Sequence, residues 1–310
     1  MKIRLNPIVK KDLKVTVRSM RMSWGLFAYE AALTIAFLLA LLVIQKESMY
    51  MSSGNIYSYL VYLFPIVAVV QVCIVALYVP IITASSISGE KERQTFDIML
   101  TTCMSPFSIV FGKVLSEVLR ILFFVVASTP IMALSFVVGG LSWINLLYYL
   151  LAVILFAVFA GSIGILASAF CRKSVAAVLL SFVMYFVIFV LTFVPLIYRA
   201  VFTLGQGKYG DSVGESMLPL LGNPVVFFEE FFMHMMMGES AFGMDRNQGT
   251  SFAQNEVGPL TYILARGKVW MFVSAGCILL LSLLFMLLAA WKVNPMHSGS
   301  GRRRKKKKAE

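Results

Sequence analysis

Six long apolar runs constrain the fold of this chain more than any other feature. A helix that crosses about 30 Å of hydrocarbon needs roughly 20 mainly apolar residues, because each residue rises about 1.5 Å. The chain has 310 residues, of which 59% are hydrophobic and 14% charged, whereas soluble domains carry about 25% charged residues. Because the runs lack the alternation of barrel strands, we predict an all-α integral membrane protein. The six predicted spans are residues 24–44, 57–85, 109–139, 143–170, 174–198 and 268–291.

Basic residues mark one side of the predicted membrane. Lysine and arginine are concentrated in segment 1–23, in loop 86–113, in the Arg172-Lys173 turn and in the tail 292–310. Cytoplasmic segments carry such an excess, so both termini and loop 86–113 are predicted to be cytoplasmic. The polybasic tail is expected to bind anionic lipid, and no nucleic-acid partner is expected because no soluble domain is predicted. The expected location is the plasma membrane of a bacterial cell.

The connection between the fifth and sixth spans, residues 199–267, is then predicted to be extracellular. Its segment Met217–Met237 is strongly apolar but is interrupted by Gly222-Asn223-Pro224. Proline removes a backbone donor and disfavours helix in the residue before it. We therefore predict two short interfacial or re-entrant helices here, and no seventh span.

The sequence offers little support for catalytic chemistry. It has two histidines, which the predicted topology places on opposite sides of the membrane, and it has no glycine-rich P-loop to hold ATP phosphates. We expect no metal or cofactor in this chain, so any ATP and Mg²⁺ would be bound by a partner. Thioethers beside an imidazole suit Cu(I), but methionine is more often an apolar filler. The weak copper candidates are Met233, His234, Met235, Met236 and Met237.

Three charged residues within the predicted spans are candidates for a functional role, since charge inside a membrane is costly. Glu30 lies in the first span, either in a transport role or as an interfacial carboxylate. Glu117 and Arg120 are spaced i, i+3 in the third span, so that they can pair on one helix face. For Glu117 and Arg120, we favour a structural ion pair over a functional role.

Loop 86–113 is unusually charged for a connection between two spans. A break is predicted at Ser88-Gly89-Glu90, followed by a short amphipathic helix that Thr95 can cap and that Ser105-Pro106 ends. The apolar side of such a helix must be buried against either the lipid headgroups or a protein partner. The physical argument alone leaves both possibilities open.

The loop sequence GEKERQTFDIMLTTCMSPFSIVFGK resembles the motif that links the second and third spans of ABC-2 type transporter permeases. Glu90 and Glu92 match a pair of acids in that motif, Thr95-Phe96-Asp97 match the start of its short helix, and Gly112-Lys113 match its closing pair. Two positions depart from it. Gln94 stands where glycine is common, which is expected to lengthen the helix, and Cys103-Met104 precede Ser105-Pro106 where a proline often comes first.

The resemblance implies a permease that pairs with a second permease chain, identical or related, and with two cytoplasmic ATPase subunits. The short helix would be a coupling helix that sits in a cleft of the ATPase, and segment 1–23 would be an amphipathic connecting helix. The second and fifth spans would line the path of a hydrophobic or amphiphilic substrate. The residues assigned to ATPase coupling are Gly89, Glu90, Glu92, Arg93, Thr95, Phe96, Asp97, Ile98, Leu100, Pro106 and Lys113.

Two other functions stay open at this point. A secondary transporter or channel would need intramembrane charges or interrupted helix pairs, for which Glu30, Glu117 and Arg120 are the candidates. A permease-like chain that does not transport, and instead anchors or regulates an ATPase, is the other alternative.

Overall fold

The computed structural model describes residues 14, 19–50, 60–95, 106–140, 142–205, 215–238, 263–264 and 268–293. Every regular element within these ranges is helical, as predicted. The α-helices are α1 (Met20–Tyr50), α2 (Leu63–Glu92), α3 (Pro106–Ala127), α4 (Thr129–Val138), α5 (Trp143–Phe170), α6 (Ser174–Gly205), α7 (Pro224–Met237) and α8 (Val269–Val293), and a 3-10 helix covers Glu215–Gly222.

Five of these helices, α1, α2, α5, α6 and α8, are long and apolar enough to cross a membrane. The pair α3 and α4 passes the same test as one span, bent by 49°. The predicted span 109–139 is therefore broken, and the break lies at Ser128. Pro130 is at the start of α4, where its missing N–H and fixed φ favour a new helix over continuation of the old one.

The chain divides into two compact units. The first comprises Met1–Phe182 and Ser282–Glu310, and α2 lies at its centre, packed mainly against α5 and also against α1, α3 and α4. Small residues in α5 make this packing close. Gly161 and Gly164 both face the Thr83 side chain of α2, as small residues at membrane helix interfaces do.

The first unit also buries a cluster of neutral polar side chains beside the α3–α4 break. The Tyr29 hydroxyl and the Gln71 amide donate to Ser128 Oγ over 3.3 and 3.2 Å. The Tyr149 hydroxyl donates to Gln71 Oε1 over 3.0 Å. Since a polar group in hydrocarbon must be satisfied within the protein, this cluster fixes α1, α2 and α5 around the break.

The second unit, Val183–Leu281, contains the 3-10 helix and α7. The predicted division of Met217–Met237 into two short helices is confirmed, with Asn223 between them. Asn223 is fully buried; its Oδ1 accepts from Val225 N–H over 2.9 Å and its Nδ2 donates to Thr192 Oγ1 over 2.8 Å. Leu220, Leu221, Val226 and Trp270 form the apolar core of this unit.

Two predicted boundaries were wrong. The break at Ser88-Gly89-Glu90 does not occur, because α2 continues to Glu92 and is supported there by packing against α5, which outweighs the low helix propensity of glycine. Loop 86–113 is correspondingly shorter, since its two ends belong to α2 and α3. The predicted fifth span, 174–198, coincides with the part of α6 that can cross a membrane, Ser174–Tyr198, and the helix continues beyond it to Gly205. Most of the predicted connecting helix 1–23 and the tail 292–310 lie outside the described residues.

Candidate functional site

The candidate site lies at the end of α2 and the start of α3, on either side of residues 96–105, the part of the predicted loop that lies outside the described residues. Glu90, Lys91 and Glu92 form the last turn of α2. Each of these three side chains contacts a different helix end in the first unit. We call these three residues with their partners Lys113, Ser168–Cys171 and Ser174 the EKE clamp.

Glu90 closes the base of the loop. Its Oε1 lies 2.8 Å from Lys113 Nζ, so that the ion pair joins the end of α2 to the second turn of α3. The Lys113 side chain is 7% exposed and the Glu90 side chain is 30% exposed. A pair this close and this sheltered holds the two ends of the loop at a fixed separation.

Lys91 reaches the carboxyl end of α5. Its Nζ donates to the carbonyl oxygens of Ala169, Ser168 and Cys171 over 2.6, 3.2 and 3.4 Å. The last carbonyls of a helix have no partner within the helix and carry its partial negative charge. An ammonium group with three donors satisfies both requirements.

Glu92 reaches the amino end of α6. Its Oε2 accepts from Ser174 N–H over 3.2 Å and from Ser174 Oγ over 2.8 Å. The first amides of a helix need acceptors, and a carboxylate is favourable at this positive end. Adjacent residues of α2 therefore bind the two ends of the short turn between α5 and α6.

The end of α2 itself is a Schellman motif. Gln94 N–H donates to Lys91 O over 3.2 Å, Thr95 N–H donates to Glu90 O over 3.0 Å, and Gln94 has a φ of +59°. These bonds and this left-handed residue terminate a helix, and the position favours glycine. The expectation that Gln94 lengthens a helix was therefore wrong: the residue ends one, which is the physical reason for glycine at this place in the resembling motif.

The remaining residues assigned to coupling are placed as follows. Gly89 lies within α2, where a Cβ would be 3.5 Å from Ser174 Oγ, and Arg93 and Thr95 are exposed. Pro106 is the first residue of α3. Phe96, Asp97, Ile98 and Leu100, with the predicted coupling helix that contains them, lie outside the described residues.

The structure describes all three intramembrane candidates. Glu117 Oε2 and Arg120 Nη1 lie 3.0 Å apart, which confirms the predicted pairing on one face of α3. Glu30 is half-buried on α1, where its backbone oxygen accepts from Thr34 Oγ1 over 2.8 Å.

The copper candidates lie on α7. His234 Nε2 is 3.3 Å from Glu230 Oε1, and the side chains of Met233, Met235 and Met236 are half-buried beside it. Among the described residues no three histidine, cysteine or acidic side chains are grouped to hold a metal. Copper binding stays a prediction.

Sequence reasoning missed Lys91, Ser168 and Ser174, although they complete the clamp. Lys91 belongs to a run of charges that was expected to contact a partner, and the structure gives three residues of that run partners within the chain. The one signal in the sequence was Ser174 at the start of an apolar run, where serine is typical of a helix amino terminus.

Comparison with known proteins identifies the chain at the level of a family. The family model described as "ABC-2 family transporter protein" matches residues 6–291, which is most of the chain. No curated protein matches the sequence.

Proposed function

Since this chain belongs to the ABC-2 family of transporter proteins, we propose that it is the permease subunit of an ABC exporter whose ATPase is a separate polypeptide. It is a multi-pass protein of the plasma membrane, and its described residues include five helices and one bent pair able to cross it. Membership in this family favours the permease over the secondary transporter or channel. The export direction and the partners are parts of the proposal.

We propose six spans, with both termini and the EKE clamp on the cytoplasmic side. The support is the positions of the basic residues. Lys113 pairs with Glu90, and the neighbouring Lys91 contacts the end of α5, next to the Arg172-Lys173 turn. Lys292 Nζ lies 5.3 Å from the centre of the Phe170 ring at the end of α5. Basic residues from separate parts of the sequence thus share one end, as cytoplasmic ends do.

The observation that carries the coupling function is the 2.8 Å ion pair between Glu90 and Lys113. It fixes the base of loop 96–105, so that a push on the loop moves α2 and α3 together. We propose that Phe96, Asp97, Ile98 and Leu100 contact a cytoplasmic ATPase, which binds ATP and Mg²⁺. A second permease chain would complete the transporter, and the polybasic tail would contact anionic lipid.

The substrate is proposed to be hydrophobic or amphiphilic. An apolar cleft of about 300 Å³ opens between α1, α2 and α3, with Tyr29 and Tyr78 among its lining residues. Its walls suit an apolar group and offer little to a hydrated ion. Helix α2, which was predicted to line the path, contributes to this cleft.

The proposal is tested by affinity purification in a mild detergent from the native host, with mass spectrometry of the proteins that co-purify. We expect a P-loop ATPase in an amount equal to the permease chains. The exposed Arg93 at the base of the loop is the position to vary, and Arg93→Glu should reduce the ATPase recovered. Lys46→Glu reverses the charge of an exposed lysine near the carboxyl end of α1, on the proposed extracellular side. It should have no effect on the amount of ATPase recovered.

Recovery of no ATPase after chemical cross-linking would contradict the proposal. An equal loss of ATPase in both variants would contradict the role of the loop, because only Arg93 adjoins it.

A further inference from the structure

The EKE clamp has contacts that a loop anchor does not need. Glu90 and Lys113 already hold the two ends of loop 96–105. Lys91 and Glu92 point to another connection, the turn between α5 and α6, where they contact Ala169 and Ser174 over 2.6 and 2.8 Å. These two residues are next to each other in α2, yet they bind helix ends of opposite polarity.

The lysine and the glutamate match the helix ends that they bind. The α5 carboxyl end presents carbonyl oxygens and partial negative charge, and Lys91 supplies a cation. The α6 amino end presents N–H groups and partial positive charge, and Glu92 supplies an anion. Exchange of the two side chains would place like charge against each helix end. The order of residues 91 and 92 is therefore specific to the turn that they hold.

A second line of contacts holds α2 against α5 in the turns that precede Lys91 and Glu92. Ser168 Oγ accepts from Ile87 N–H and Ser88 N–H over 2.9 and 2.7 Å. One turn earlier, a Cβ on Gly164 would lie 2.9 Å from Thr83 Cβ, so the two helices already touch.

We propose that Lys91 and Glu92 are positioning residues that transmit movement of the coupling loop to the α5–α6 turn, and through it to α6. The proposal rests on the proposed function, since it presupposes an ATPase that moves the loop. It adds that the loop drives four helices, α2, α3, α5 and α6, through three charged residues. The alternative is that Lys91 and Glu92 only stabilise the fold.

Cys171 is a natural reporter for this movement. It follows the last residue of α5, its thiol is free and partly exposed, and its carbonyl oxygen is a partner of Lys91. In a variant with Cys73, Cys103 and Cys277 changed to alanine, a maleimide reagent labels Cys171 alone. The labelling rate is measured in the purified permease–ATPase complex, first without nucleotide and then with the ATPase trapped by ADP and vanadate.

We expect nucleotide trapping to change the labelling rate of Cys171 on the order of fivefold or more, the low end of typical coupling between sites. Lys91→Met keeps the length of the side chain but removes the ammonium, and the change should be lost in complexes that still trap nucleotide. Lys91→Arg, which keeps the charge and the donors, should restore most of it. A residue that only stabilises the fold would lower the yield of complex and leave the ratio of the two rates intact.

The possible failures are distinguishable. If no ATPase co-purifies, the proposed function fails and this inference fails with it. If the complex forms and Lys91→Met shows the same nucleotide-dependent ratio as the parent, the inference alone is overturned. Should Lys91→Met not assemble, Ser174→Ala decides in the same assay. It removes one of the two bonds to Glu92, so a reduced ratio supports the inference and an unchanged ratio overturns it.

Discussion

Two regions of this molecule hold helix ends in place by different chemistry. In the EKE clamp, charged side chains of α2 reach three other helices, in contacts that join residues between 23 and 82 positions apart. In the second unit, the break between the 3-10 helix and α7 is held by neutral groups. Asn223 caps its own helix, and Ser274 Oγ donates to Leu221 O over 2.8 Å.

The difference indicates which region is more sensitive to the loss of a single contact. A charged contact is directional and strong, but it costs a great deal when one partner is lost. When a neutral cap over an apolar core is removed, less free energy of unfolding is lost, and the region tolerates local rearrangement. We therefore expect substitutions at the EKE clamp to be more costly than equivalent ones at the break near Asn223, and four predictions test that ranking.

The largest effect is expected for Lys113→Met. It leaves the Glu90 carboxylate without its 2.8 Å partner, and we expect a loss of about 3 kcal/mol in the free energy of unfolding, at the low end for a buried pair because water still reaches Glu90. The measurement is unfolding by sodium dodecyl sulfate in mixed micelles. The double variant Lys113→Met/Glu90→Gln should recover part of the loss. Arg93→Met changes an exposed neighbour. A loss for Lys113→Met no greater than that of Arg93→Met would contradict the expectation that the EKE clamp is the more costly region to change.

The second prediction compares one glycine in each unit. A Cβ at Gly164 would fall on Thr83 Oγ1 and lie 3.2 Å from Ala84 N, whereas a Cβ at Gly276 meets nothing within 4 Å. Gly164→Ala should cost about 1–3 kcal/mol by overpacking, and Gly276→Ala should change stability by less than about 1 kcal/mol. The same micelle titration checks both, and equal effects would mean that α2 and α5 are not in close contact.

The sequence predicts those parts of this structure that local rules decide. Long apolar runs become helices because hydrocarbon leaves the backbone no other partner. Glu117 and Arg120 pair because they are three residues apart on one helix, and Pro224 starts α7 because proline suits a first turn. Small residues in α5, such as Gly161 and Gly164, likewise favour close helix packing, although the sequence does not identify Thr83 as their neighbour.

The parts that could not be predicted depend on contacts between distant residues. Gly89 favours a helix end by propensity, but packing against α5 keeps it helical. Nothing around Lys91 in the sequence indicates that the carbonyl oxygens of Ser168 and Ala169 lie beside it. The run of charges from Glu90 to Arg93 therefore resembled a surface for a partner, while three of its four side chains serve contacts within the chain.

The third prediction concerns the neutral region. Asn223→Ala removes the acceptor for Val225 N–H, and loss of such a cap costs about 1 kcal/mol, less than the loss expected at Lys113. Thr192→Val is the matched control, because it removes the hydroxyl that Asn223 Nδ2 contacts but leaves the cap in place. Micelle titration of both variants separates the two bonds. A cost for Asn223→Ala above that of Lys113→Met would reverse the proposed ranking.

The smallest effect is expected at the end of α2, and it is a gain. Gln94 has a φ of +59°, a conformation that costs a residue with a Cβ about 1–2 kcal/mol, while glycine loses about 0.5–1 kcal/mol of entropy on folding. Gln94→Gly should therefore stabilise the Schellman motif by about 0.5 kcal/mol and slow hydrogen–deuterium exchange of the Gln94 and Thr95 amides. Arg93→Gly is the control, because Arg93 has an ordinary helical φ of −81° and glycine there should speed the same exchange. If both glycine variants accelerate the exchange equally, α2 does not end in a left-handed residue. The EKE clamp would then lack the fixed helix end that positions its side chains.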